Sequence, residues 1–147
     1  MPKCINICAP EAGDIKYLPN NTVMISINRQ NGELFRLKLD RSSSKILTVR
    51  FDDITSKYID ERTQKIYYPI SDETALKILD FIEIHQGKDF IIHCAAGVSR
   101  SAAIALYLHL FHGYELKKRF WQTSNPNKYV LGQLIFSRYC DRWENRT

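Results

Sequence analysis

The fold is decided by Phe90-Ile91-Ile92-His93-Cys94-Ala95-Ala96-Gly97-Val98-Ser99-Arg100-Ser101-Ala102-Ala103. Phe90-Ile91-Ile92 is a short apolar β run. Ser99 to His112 has the spacing of a helix, with Ile104, Leu108 and Phe111 on one stripe and alanines between them. A tight loop joins the two, with a cysteine at one end and an arginine at the other. A strand feeding a helix through such a loop gathers backbone N–H groups around one point, where the helix dipole adds positive potential. That point suits an anion, and the same field favours a thiolate, which makes Cys94 a candidate nucleophile. Arg100 carries a planar fork that can grip two oxygens of a phosphate. Small side chains at Ala95 and Ala96 suit a loop used for its backbone, and Gly97 supplies a dihedral or a close approach that a side chain would forbid.

Upstream of this stretch, Ser71 is a good N-cap with Asp72 and Glu73 in the first turn. The spacing predicts a helix to about Gln86, ended by Gly87, with Ala75, Leu76, Leu79 and Ile82 on its buried face. Thr55 to Pro69 has no clear period and many charges, so a long mobile surface loop is expected. Ile46 to Phe51 is a strand that ends in Asp52-Asp53-Ile54. Arg41-Ser42-Ser43-Ser44-Lys45 is a polar loop. Asn31-Gly32 is the strongest turn signal and could close a hairpin between Val23–Asn28 and Leu34–Leu39. Thr22 to Ile27 is a strand, as is Lys3 to Cys8, and Ala9-Pro10-Glu11-Ala12-Gly13-Asp14 breaks the latter.

Downstream, Gly113 is a stop and Glu115 to Trp121 is amphipathic and basic on one side. Ser124-Asn125-Pro126-Asn127 is a turn. A last helix runs from Lys128 to about Trp143, with Val130, Leu131, Leu134, Ile135 and Tyr139 as its apolar set. Strands alternating with helices imply an α/β fold with a largely parallel sheet flanked by helices, and a ligand site at the carboxyl end of a strand.

The 147 residues are expected to form a single domain, 1–147. With 44% apolar residues the chain can build a core without metal or disulfide staples. A net charge of +5 suits acidic or phosphorylated partners, but the basic residues are scattered, which argues against nucleic acid. No stretch has the length or apolarity of a membrane span, and none follows Met1 as a secretory segment. Cys4, Cys8, Cys94 and Cys140 fit a reducing cytoplasm. Cys4 and Cys8 are expected to be ordinary strand residues, because no second ligand pair completes a zinc site. No metal or other cofactor is expected.

His93-Cys94-x5-Arg100-Ser101 resembles the signature of the cysteine-dependent protein tyrosine phosphatases. The run Gly97-Val98-Ser99-Arg100-Ser101 is most similar to the small dual-specificity type and its compact microbial relatives. The resemblance covers roughly Ile46 to Tyr139, and it implies a three-layer α/β sandwich. It also implies a protein phosphotyrosine substrate, with phosphoserine and phosphothreonine open, and a cysteinyl-phosphate intermediate. Under it Cys94 is the nucleophile, and the amides of Ala95, Ala96, Gly97, Val98, Ser99 and Arg100 hold the phosphate, with Arg100 clamping it. Ser101 hydrogen-bonds the sulfur, with helix capping as its rival role. His93 orders the loop and helps keep Cys94 ionised.

The implied general acid is an upstream aspartate. Phe51-Asp52-Asp53-Ile54 resembles the corresponding loop of the compact relatives with Asp53 at the acid position. Asp52, Asp60 and Asp72 are the other candidates, and the interval from Asp53 to Cys94 is longer than the dual-specificity type usually has. Asn125-Pro126-Asn127 and Gln133-Leu134 resemble the Pro-Asn…Gln-Leu stretch of these enzymes, but a generic helix-entry turn explains them equally, so they are left outside the site. The resemblance also suggests that the segment after Asn31-Gly32 wanders rather than pairs as a hairpin. Tyr58, Arg62, Lys65, Tyr67 and Tyr68 either line the mouth or are solvated.

Other chemistries of the same loop are an RNA 5′-triphosphatase, a phosphoinositide phosphatase and a phosphate-binding module without turnover. No basic residue occupies positions 95, 96, 98 or 99, which disfavours the inositides. An arsenate reductase or sulfur transferase on a related loop is disfavoured: the small arsenate-reductase-like phosphatases that this class resembles carry their Cys-x5-Arg near the N-terminus, and here it lies at two-thirds of the chain.

Overall fold

The computed structural model describes residues 1–144. Its centre is a parallel sheet of five strands in the order β3-β2-β6-β1-β7. These are β1 (Lys3–Ile7), β2 (Thr22–Asn28), β3 (Ile46–Arg50), β6 (Asp89–His93) and β7 (Glu115–Leu116). A separate antiparallel pair joins β4 (Tyr58–Ile59) to β5 (Ile66–Tyr67). The helices are α1 (Ala9–Gly13), α2 (Asp72–Ile84), α3 (Arg100–His112), α4 (Lys118–Thr123) and α5 (Lys128–Glu144).

Strand alternation divides the core into two clusters. Val23, Ile25, Ile27, Phe90 and Ile92 face α2, α3 and α5 in the larger one. Met24, Ile5, Ile7 and Ile91 lie in the smaller, on Ala12 of α1 with Leu37 and Leu39 from the irregular segment 29–45. Successive side chains point to opposite faces, so both layers are legible in the strands themselves. β6 is the central strand, paired on one side with β2 and on the other with β1. Its carboxyl end therefore opens in the middle of the molecule. Helix α3 leaves from that point and is buried nearly all round, which its alanines permit: Ala102, Ala103 and Ala105 are fully buried along with Ile104 and Leu108.

Several expectations are corrected. Ala9–Gly13 does not merely break β1; it forms α1, with Pro10 in the first turn where a missing N–H costs nothing. Cys8 is not a strand residue but the N-cap of α1. Segment 29–45 contains no strand partner for β2, so Asn31-Gly32 closes no hairpin, and β3 instead pairs parallel with β2. Thr55–Pro69 is not a plain loop, because β4 and β5 pair across it with Tyr58 opposite Tyr67. On α2 the buried residues are Ala75, Ile78, Phe81 and Ile82, whereas Leu76 is 40% exposed. Tyr139 on α5 is likewise 61% exposed, while Val130 and Leu134 are buried. Glu115–Trp121 splits into edge strand β7 and α4, held to β1 and to the core by Leu116 and Phe120. Ser71 caps α2 as expected, its hydroxyl accepting from Thr74 N–H at 3.1 Å. Among the described residues, no helix is long and apolar enough to cross a membrane.

Candidate active site

The site is built where β6 ends. Cys94 is buried, and its Sγ accepts the Gly97 N–H at 3.3 Å and lies 3.1 Å from Ser101 Oγ. The loop that follows is held to its surroundings by its carbonyls. Cys94 O faces His93 Nδ1 at 3.4 Å, and Ala95 O accepts from Ala9 N at 3.0 Å. Gly97 O accepts from Asn6 Nδ2 at 2.7 Å. Val98 O accepts from Asn125 N at 2.8 Å, and Ser99 O from Asn127 N at 3.1 Å.

In a trans peptide the carbonyl and the following N–H point in opposite directions, and no described peptide is cis. Tethering these carbonyls outward turns the N–H groups of Ala95, Ala96, Val98, Ser99 and Arg100 to the inner side. Successive amides aimed at one centre make an anion cradle.

Gly97 is required by its neighbours. Its φ is +74°, and a Cβ there would sit 2.4 Å from the carbonyl carbon of Ile7. Arg100 is buried, and its Nη1 donates to Phe51 O at 2.8 Å, which moors the guanidinium to the end of β3. Its Nε is buried with no partner among the described residues. A buried donor of that kind is costly unless a ligand satisfies it.

The two neighbouring aspartates are treated differently by the fold. Asp52 is buried and spent on backbone: Oδ1 accepts from Gln30 N at 3.1 Å and Oδ2 from Tyr68 N at 2.8 Å. Its own N–H donates to Tyr68 O, so Asp52 clips together both ends of the β4–β5 segment. That clipped segment accounts for the long interval between Asp53 and Cys94. Asp53 turns the other way and is exposed, with Oδ1 accepting 2.8 Å hydrogen bonds from Ser99 Oγ in the loop and from Asn127 Nδ2. The other aspartate candidates do not join them. Asp60 caps the β4–β5 turn at Arg62 N, and Asp72 pairs with Gln133 across α2 and α5.

Asn127 is a site residue that the sequence reasoning left out. It caps α5, its Oδ1 accepting from Tyr129 N and Val130 N, and its amide is thereby left to face Asp53. Asn6, on β1, was also missed. The usable signal was Pro126-Asn127 as a helix start beside the loop helix; for Asn6 there was none. Tyr67, Tyr68 and Lys65 line a groove of about 580 Å³ on the Asp52 side, with Arg29, Asn31 and Gln64.

His93 is fully buried beneath the loop. Burial, reinforced by the Arg41 and Arg100 charges, pushes it down to about 4, against the pull of its contact with the Cys94 carbonyl. The ring is neutral and acts on the loop through hydrogen bonds rather than charge. Cys4, by contrast, is a core thiol pushed up to about 12 by burial alone.

The fold is shared with a small dual-specificity phosphatase structure, and over about half its length the chain is similar in sequence to a dual specificity protein phosphatase. No family profile matches the sequence. Among curated proteins it is 35% identical over 92 residues to "Dual specificity protein phosphatase 18" of Homo sapiens, covering 51% of this chain and 48% of that protein. The Pongo abelii protein of the same name matches equally, so the chain spans about half the length of the curated relatives it matches. Among solved structures, human DUSP28 shares the fold with a TM-score of 0.51 at 19% identity, covering 98% of this chain and 96% of that one.

Proposed function

We propose that the chain is a phosphomonoesterase that hydrolyses protein phosphotyrosine, with phosphoserine and phosphothreonine as further substrates of the same pocket. The observation that carries this reading is the loop tethered outward by its carbonyls around Cys94 Sγ, closed by Arg100 with a buried Nε left unpaired. A phosphoryl group has three non-bridging oxygens for those amides and that guanidinium, and their stabilisation grows as charge develops in the transition state.

In the first step Cys94 Sγ attacks phosphorus, the S–P bond forms and the bond to the leaving oxygen breaks. Asp53, held against the loop by Ser99 and Asn127, gives its proton to that oxygen. In the second step a water loses a proton to Asp53 and attacks phosphorus, and the S–P bond breaks. Ser101 Oγ, 3.1 Å from Sγ, donates to the departing thiolate. No metal is needed. Loop positions Ala95, Ala96, Val98 and Ser99 offer no cation for an inositol phosphate. The free thiols Cys4, Cys8, Cys94 and Cys140 suit a reducing cytoplasmic setting, where phosphorylated proteins or peptides are the partners.

The test is phosphate release from a chromogenic aryl phosphate and from phosphotyrosyl and phosphoseryl peptides. Wild type should release phosphate, and Cys94→Ser should release none while still binding vanadate or phosphate. An inactive wild-type chain would reduce the site to a binding module. Turnover confined to 5′-triphosphorylated RNA or to phosphoinositides would replace the substrate assignment.

A further inference from the structure

Beneath the nucleophile loop, on the sheet face opposite α3, lies a buried polar chain that the proposed chemistry does not use directly. Arg41 Nη1 donates to Ser26 Oγ at 2.9 Å and to Thr48 Oγ1 at 2.9 Å, and Nη2 donates to the Phe35 carbonyl. Asn28 Nδ2 lies 3.2 Å from the same Ser26 Oγ. The orientation of that amide is fixed, because Asn28 Oδ1 accepts the Phe35 N–H at 2.9 Å. Ser26 Oγ also lies 2.6 Å from His93 Nε2.

Counting donors settles where the protons are. A hydroxyl oxygen has two lone pairs and one hydrogen. Arg41 cannot accept a hydrogen bond, and Asn28 presents an NH₂ shared among Ser26 Oγ, the Ser26 carbonyl and the Val49 carbonyl, so neither neighbour can take the Ser26 proton. Its single hydrogen has one acceptor left, His93 Nε2. A neutral imidazole that accepts at Nε2 carries its own hydrogen on Nδ1, which faces Cys94 O. That contact holds the Cys94 carbonyl outward and so aims the Ala95 N–H inward.

Stability alone does not account for Arg41. It is half-buried, and among the described residues no carboxylate lies within ion-pair distance of it. A cation placed there costs free energy that a neutral donor would spare. The other charged group bearing on His93 is Arg100.

We propose that Arg41 is a positioning residue. By occupying Ser26 Oγ as a donor it forces the Ser26 proton onto His93 Nε2, fixes His93 as the Nδ1–H tautomer, and thereby sets the first amide of the phosphate cradle. The effect on turnover rests on the phosphatase reading above; the tautomer does not.

The test is nitrogen-15 NMR of the His93 ring in the full chain, read beside kcat and KM on an aryl phosphate. Wild type should show a protonated Nδ1 and an unprotonated Nε2 at neutral pH. In Arg41→Met both ring nitrogens should shift toward the averaged values of mixed tautomers, and kcat should fall on the order of tenfold with KM little changed. Arg41→Lys keeps a charged donor for Ser26 and should keep the wild-type ring signature. Ser26→Ala removes the proton donor and should mix the tautomers as Arg41→Met does. A wild-type ring protonated on Nε2 overturns the proposal even if neither variant folds, and so does a folded Arg41→Met with an unchanged ring. A wild-type chain without turnover would sink the phosphatase reading, and the ring spectra would still decide this one.

Discussion

The Asp53 carboxylate and the Asn127 carboxamide lie 2.8 Å apart although 74 residues separate them. Asn127 can make that contact because capping α5 occupies its oxygen and leaves its NH₂ to face the aspartate. One residue thus fixes the start of a helix and the place of the proposed acid.

Exchanging each aspartate for asparagine should separate stability from chemistry. Asp53→Asn should cut turnover of substrates with poor leaving groups by about 10²–10⁴-fold and spare activated aryl phosphates. Asp52→Asn loses a charged acceptor for Gln30 N and Tyr68 N, so it should cost about 2 kcal/mol of stability while the remaining folded enzyme turns over normally. Denaturant titration beside a leaving-group series checks both, and equal loss on all leaving groups for Asp53→Asn would move the acid elsewhere.

Asn127 should have two separable effects. Asn127→Ala removes the cap and should cost about 1 kcal/mol together with a fall in kcat. Asn127→Asp keeps an oxygen for Tyr129 N and Val130 N, yet sets a like charge against Asp53. Its melting temperature should stay near that of wild type while kcat falls. An unchanged kcat would show that the contact does not position Asp53.

Gly97→Ala should be among the most damaging single-methyl additions in the chain. The left-handed φ and the Ile7 backbone leave no room, so a loss of at least about 2 kcal/mol is expected, with turnover abolished. The comparison is Gly87→Ala, also at positive φ but with open space at the Cβ, which should cost less. Equal losses in thermal unfolding would show that strain rather than contact dominates at both.

His93 gives a pH dependence of known sign. Its value drops from the ordinary 6.5 to about 4 in the folded chain, so between those limits the unfolded state binds more protons. Its contribution to stability is complete above about pH 6.5 and is lost as the pH falls toward 4, on the order of 2 kcal/mol by pH 5. Urea unfolding at pH 7 and pH 5 should show this loss in wild type and a smaller one in His93→Gln. Matching pH slopes in the two proteins would contradict it.

The sequence by itself determined the strand-loop-helix unit around Cys94. Local physics governs it: an apolar β run, small residues with a glycine in the loop, and a helix that begins at the arginine. The succession of strands and helices likewise set the parallel sheet, and the central strand Thr22–Asn28 is buried along its whole length because both of its faces are covered. The tertiary structure alone decided which aspartate meets the loop, because Asp52 and Asp53 are adjacent in sequence and only distant backbone at Gln30 and Tyr68 claims one of them. It alone brought Asn6 and Asn127 to the loop and Arg41 onto Ser26 beneath it, since these contacts join separate segments of the chain. It also paired β4 with β5 and placed β7 on the sheet edge, since strands of two residues carry too little periodicity to announce themselves and exist through their partners' hydrogen bonds.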